Sequence, residues 1–290
     1  MAGKAKRGKP TVTLVGAGTL AHTLGPALRA AGYKVEAVAG RALASSQKRA
    51  AALARKVGAK AVRLEDVKPT SDIIWLCHTD DALAATALLL ARASGWKGKI
   101  VFHSSGALTS DVLGPLRRAG AHTASLHPMM TFVPRATPRL QSVPFGVEGD
   151  RRAVVAARQI VRDLGAEAVA IGKDAKTLYH ALGSLTSPLV VATLVTAERV
   201  GRAAGLSRTQ TSKMMGPILR QTIRNYLEGG AAAAFSGPVK RGDLTTVRRH
   251  LKELQRVPGA REVYRALVKS ALRDLPALNR KELSGLLQKP

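Results

Sequence analysis

Gly16 and Gly18, with Ala21 three residues further on, have the spacing of a backbone turn that cradles phosphate. Thr11 to Val15 ahead of them has strand character, and Leu20, Leu24, Leu28 and Ala31 behind them recur at helical spacing. The first glycine permits a tight turn, and the second lets the backbone come close to a pyrophosphate. The small third residue lets helix and strand pack together. Free amides from Gly18, Thr19 and Leu20 onward, with the positive end of the helix, then face the anion. The expectation is a dinucleotide site, the alternative a turn of the same shape with no cofactor.

Further candidates lie where predicted strands end. A site for NAD has an acid about 20 residues past the glycines to hold the ribose hydroxyls. Here Gly40-Arg41 stands there, followed by Ser45 and Ser46. Arg41 suits a 2′-phosphate, so NADP is expected over NAD, unless Arg41 is only a solvated residue at a helix start. A deazaflavin would use a similar phosphate-cradling turn. His78-Thr79-Asp80-Asp81 follows the apolar run Asp72 to Cys77, and ligands lie beside such carboxyl ends. Asp80 also reads as a helix N-cap. His103-Ser104-Ser105-Gly106 offers Ser104 and Ser105 either to a nicotinamide or substrate, or to capping. His127 closes another strand before a long loop to about Ser142, which suggests a functional cover. Phe235 to Asp243 is a Gly/Pro turn in which Lys240 and Arg241 present charge to an anion or to solvent. Asp243 either orients Arg241 or caps the next helix.

The elements that must position these residues alternate, strand and helix, up to about residue 172. This pattern predicts an α/β fold with a doubly wound, mostly parallel sheet. From Asp174 no strand is convincing. One long helix is predicted to about Gly205, kinked at Pro188, then helices over Ser207–Leu227, Leu244–Arg256, Ala260–Leu272 and Lys281–Leu287, with Ser207 and Gln210 as a capping pair. The expected organisation is a basic tail (1–10), a nucleotide-binding domain (11–172) and an all-α domain (173–290). The first long helix carries more apolar surface than a small bundle would bury, so a homodimer through the helical domain is expected.

Composition bounds the rest. A chain of 290 residues with 46% hydrophobic content can bury a large core. The single cysteine, Cys77, allows no internal disulfide and no cysteine metal cluster, and it sits in an apolar run as a small hydrophobe. A reducing, cytoplasmic setting fits. No uninterrupted apolar run reaches membrane length, and Ala181 to Ala197, the nearest, reads as a buried core helix. The formal net charge of +27 favours anions generally, including a small anionic substrate. With only 3% aromatic residues there is little to stack bases on, so nucleic-acid binding is expected to be nonspecific at most.

Taken in order, GAGTLA, HSSGAL, SLHPMMTF, FGVEGD, KTLYHAL and SGPVKRGDLTTVRRHL resemble a family of Rossmann-like oxidoreductases with a helical C-terminal domain of unknown function. More distantly the chain is similar to pyrroline-5-carboxylate reductases, ketopantoate reductases and hydroxyisobutyrate-type dehydrogenases. The resemblance implies a nicotinamide-binding domain, a 6-phosphogluconate-dehydrogenase-like architecture and a dimer, but no substrate. Thr19 and Ser187-Pro188 stand where relatives often have asparagine, so no substrate-binding asparagine is carried over. Lys176 and His180 match the lysine and following polar residue of the hydroxyisobutyrate-type enzymes, and i and i+4 share a helix face. The implied chemistry is hydride transfer to a C=O or C=N carbon, with Lys176 or His180 donating a proton and Arg241 binding a carboxylate. The competing readings are a non-enzymatic NADP-binding protein and a basic nucleic-acid-associated protein.

Overall fold

The computed structural model describes residues 8–134 and 136–288. Residues 1–7 of the predicted tail and Arg135 of the predicted cover loop lie outside them. Two compact units divide after Ser184.

The first unit runs β1 (Val12–Val15), α1 (Thr19–Ala30), β2 (Val35–Gly40), α2 (Ala44–Val57), β3 (Lys60–Arg63), β4 (Ile73–Leu76), α3 (Asp80–Leu90), β5 (Ile100–His103), α4 (Gly114–Arg118), β6 (His122–Pro128), β7 (Pro144–Gly149), α5 (Arg151–Asp163), β8 (Glu167–Ala170) and all but the last two residues of α6 (Lys176–Thr186). The strands form one sheet in the order β3-β2-β1-β4-β5-β6-β7-β8. Every neighbouring pair is parallel except β6–β7. This is the doubly wound, mostly parallel sheet the alternation predicts.

Both sheet faces are covered, and side chains alternate between them. From β4, Ile73 and Trp75 pack with Val12, Leu14, Leu24, Leu53 and Ile160 on one face. Ile74 and Leu76 pack with Val15, Leu83, Leu90 and Leu116 on the other. Each such aliphatic side chain contributes about 2 kcal/mol when removed from water. The order reverses between β1 and β4, and in such sheets that switch point opens a crevice at the carboxyl ends of the strands.

The second unit is helical: α7 (Pro188–Ala203), α8 (Arg208–Ala234), α9 (Leu244–Glu253), α10 (Ala260–Asp274) and α11 (Arg280–Gln288). Val247, Leu251, Val268, Leu272, Leu283 and Leu287 form its core. The capping box at Ser207 and Gln210 is present, with Ser207 Oγ accepting from the Gln210 amide at 3.2 Å and Gln210 Oε1 from the Ser207 amide at 2.8 Å.

Some details differ from expectation. The long helix is interrupted rather than kinked. Ser187 has non-helical backbone (φ −128°, ψ −83°), and Pro188 restarts the helix at its first turn, where its missing N–H costs nothing. Thr79, not Asp80, is the N-cap of α3. A 3₁₀ turn (Ser110–Leu113) leads into the short α4. The stretch Ala181–Ala197 is not a core helix: α7 has no buried residue, and Leu185, Leu189, Val191 and Val195 are exposed. By length and composition alone Lys176–Ala203 could cross a membrane.

Candidate active site

Gly16 takes φ +102°, a conformation open to glycine. A Cβ there would also meet His78 Cδ2 at 2.9 Å and the Cys77 carbonyl at 3.1 Å. Residue 16 is therefore fixed as glycine twice over, by backbone and by the close passage of the β4–α3 connection. Gly18 is exposed, and a Cβ would find nothing nearer than the Cys77 carbonyl at 4.0 Å. That open space lies at the head of α1, whose first turn carries no acid. The backbone presents a bare anion cradle, and the residues present fit a dinucleotide's pyrophosphate.

At the next strand end, the Arg41 amide donates to Ser46 Oγ at 3.0 Å. Gln47 Nε2 donates to the Gly40 and Arg41 carbonyls at 2.7 and 2.9 Å. These bonds shape the corner and leave the Arg41 and Ser45 side chains exposed. The Arg41 charge reaches across to His78, whose pKa is pushed down to about 4, chiefly by burial and then by Arg41. His78 Nδ1 lies 3.2 Å from Thr86 Oγ1, while Thr79 is exposed. Gly16 thus packs against the His78 ring, and the charge of Arg41 acts on that same ring.

Beyond β5 the chain folds back on itself. The Ser105 amide donates to His103 Nδ1 at 3.1 Å, which assigns the ring proton to Nε2, facing the Thr109 carbonyl at 3.1 Å. Ser105 Oγ accepts from the amides of Ala107 and Leu108 at 3.2 and 2.8 Å. Ser104 Oγ accepts from Trp75 Nε1 at 2.8 Å. Both serines therefore hold the loop, the local role weighed against ligand binding. Deeper, Glu148 on β7 accepts from the Ser110 amide at 2.6 Å and from Ser110 Oγ at 2.7 Å.

Lys176 opens α6 and is only 2% exposed. Its Nζ donates to the Ser105 carbonyl at 2.9 Å and to Ser125 Oγ at 2.5 Å, tying α6 to the β5 loop and to β6. Burial lowers its pKa, while Glu148 and Asp80 pull the other way. Two of its three N–H groups are thus engaged. One turn on, Tyr179 OH lies 2.9 Å from His127 Nδ1 and 3.3 Å from the His127 carbonyl. It fills the space a Cβ at Gly146 would occupy, at 2.6 Å. A side chain at Gly106 would strike His180 Cδ2 at 2.5 Å and His127 Nε2 at 2.9 Å. Glycine at 106 therefore leaves room for two imidazoles, whose centroids are 6.2 Å apart. Burial, then the charge of Lys176, hold His103 down at about 3 and His127 at about 4, so both rings are neutral near pH 7.

The first unit accordingly brings together Ser104, Ser105, His127, Lys176 and His180 from the expected set. Tyr179, Ser125, His103 and Glu148 join them without having been singled out. Arg241 and Asp243 belong to the second unit. There Asp243 caps α9, its carboxylate accepting from the Thr246 amide at 2.9 Å and from Thr246 Oγ1 at 2.7 Å, and Arg241 is exposed. No cluster of three or more metal-ligating side chains occurs among the described residues.

Solved structures share this architecture. A putative NADP oxidoreductase from Bacteroides fragilis is 22% identical, with a TM-score of 0.75 over 90% of this chain and 97% of its own. A protein from Thermotoga maritima is 24% identical, with a TM-score of 0.71 over 89% and 96%. A reductive aminase from Aspergillus terreus, solved with NADPH and ethyl levulinate, is 16% identical, with a TM-score of 0.63 over 96% and 99%. At these identities the likeness is one of fold. No curated protein matches the sequence. Family models match in two places, a Rossmann-like domain over residues 2–128 and a domain of unknown function, DUF2520, over residues 143–271. The two matches follow one another along the chain in the order that its six motifs imply.

Proposed function

We propose that this chain is an NADP(H)-dependent oxidoreductase acting on a small carboxylate-bearing keto, hydroxy or imino compound. The observation that carries the reading is the bare amide cradle at Gly18, beside the switch point and the exposed guanidinium of Arg41. Similarity to structures described as an NADP oxidoreductase and as an NADPH complex supports it. Gly16, Gly18, Thr19 and Leu20 would hold the pyrophosphate, Arg41 and Ser45 the 2′-phosphate, and His78 and Thr79 would border the cofactor. A bound nicotinamide supplies a hydride to an electrophilic carbon or takes one back.

The chain's own residues handle the proton. When Tyr179 O–H donates to His127 Nδ1, the ring proton stands on Nε2, the nitrogen beside Gly106. His127 then presents Nε2–H to a substrate heteroatom, and Tyr179 makes good the proton through the ring. In this reading Lys176, engaged below, positions the Ser105 loop and supplies positive potential, a role different from the direct donation first expected of it. His180 lines the rim. The exposed apolar faces of α6, α7 and α8 are proposed to pair two copies of the chain.

Titrating NADP(H) and NAD(H) by calorimetry tests the cofactor. A panel of keto and imino acids with NADPH then separates an enzyme from a non-enzymatic NADP-binding protein. Turnover that survives Tyr179→Phe and His127→Asn unchanged would remove the proposed proton path.

A further inference from the structure

Lys176 is buried, yet no ion pair forms at it among the described residues. Its partners are a carbonyl and a hydroxyl. Glu148 is the buried acid nearby, and both its oxygens are taken by Ser110. Asp80 is exposed at the start of α3. A buried charge without a counterion in contact is costly and favours an anion arriving beside it. Above it stand His127 and Tyr179, neutral donors suited to a negative oxygen and unsuited to a cation.

Resting on the NADP-dependent reading above, we infer that the reducible group is a carbonyl, whose oxygen gains negative charge beside Lys176, and that a preformed iminium cation is turned away. In the reduction the carbonyl carbon gains a hydride from the reduced nicotinamide, which is left oxidised, and the π pair of the C=O bond moves to oxygen. That oxygen takes the proton of His127 Nε2 while Nδ1 takes the phenol proton of Tyr179. The alcohol leaves, solvent returns a proton to Nε2, and Nδ1 hands its proton back to the phenolate. An iminium would need its positive charge in place before the hydride arrives, next to an ammonium that nothing in contact neutralises.

The test uses a pair of probes that differ in the sign of their charge. Cyclopentanecarboxylate, a stand-in for the oxyanion, and cyclopentylammonium are titrated into the full chain saturated with NADP⁺. The imidazole ¹⁵N resonances of His127 and His180 report binding. The carboxylate is expected to shift His127 saturably and to bind at least tenfold tighter than the ammonium. Lys176→Met should erase that preference, and Lys176→Arg should keep it. If Lys176→Met does not fold, the wild-type ranking decides. Equal or tighter binding of the ammonium, or no saturable shift with the carboxylate, overturns the inference. Failure of NADP⁺ to bind in the preceding calorimetry is a separate result and sinks the parent reading instead.

Discussion

At the scale of single residues, the account rests on groups whose freedom has been removed. Gly16 is held by its positive φ and by His78, so Gly16→Ala should lower stability and abolish nucleotide binding, read by thermal melting with and without NADP⁺. His127→Asn or Tyr179→Phe should lower kcat by about 10²- to 10³-fold while leaving NADP⁺ affinity unchanged. The buried imidazoles also set a pH dependence. His78, His103 and His127 are held near 4, 3 and 4 against an ordinary 6.5, so between those values the unfolded chain binds more protons than the folded one. Stability is therefore fully present above about pH 6.5 and falls as pH drops toward 4. Melting scans should show that slope, and His103→Asn should make it shallower. The glycine turn was readable in the sequence because its chemistry is local. The partners of Lys176 were not, since Ser105 and Ser125 lie 71 and 51 residues away and only the folded sheet brings them under α6.

At the scale of elements, the sheet was legible from alternation, and the capping box at Ser207 from two residues at fixed spacing. Removing either observed cap, by Ser207→Ala or Asp243→Ala, should cost about 1 kcal/mol in chemical denaturation. The one reversal of strand direction was not legible. β7 runs antiparallel to β6, and the loop that joins them carries no residue type that dictates the reversal. That reversal matters for the site, because it sets Gly146 opposite His127 and gives Tyr179 its seat. The interruption at Ser187 was foreshadowed by Pro188, although periodicity alone carries the helix through it. Substituting Gly146 with Ala should displace Tyr179 and lower kcat in the same direction as Tyr179→Phe.

At the scale of the whole molecule, the apolar sequence after Lys176 is explained by what it leaves exposed. Leu178 is 78% exposed, Ile218 66% and Leu227 76%, far more apolar surface than a lone soluble chain usually shows. The proposed homodimer predicts that Leu185→Glu with Ile218→Glu shifts the protein to monomer in sedimentation velocity. An unchanged mass would point to another cover for that face. The net charge of +27 is the same preference for anions written over the whole surface, but a surface property cannot say which anion is held. On the proposed reading, the cradle at Gly18 and the guanidinium of Arg41 select a dinucleotide carrying a 2′-phosphate. Isothermal calorimetry with NADP⁺ and NAD⁺, on the full chain and on Arg41→Ala, tests this most directly. The account predicts that NADP⁺ binds at least tenfold more tightly than NAD⁺ and that Arg41→Ala abolishes the difference. No heat with either nucleotide, or a preference for NAD⁺, would contradict it.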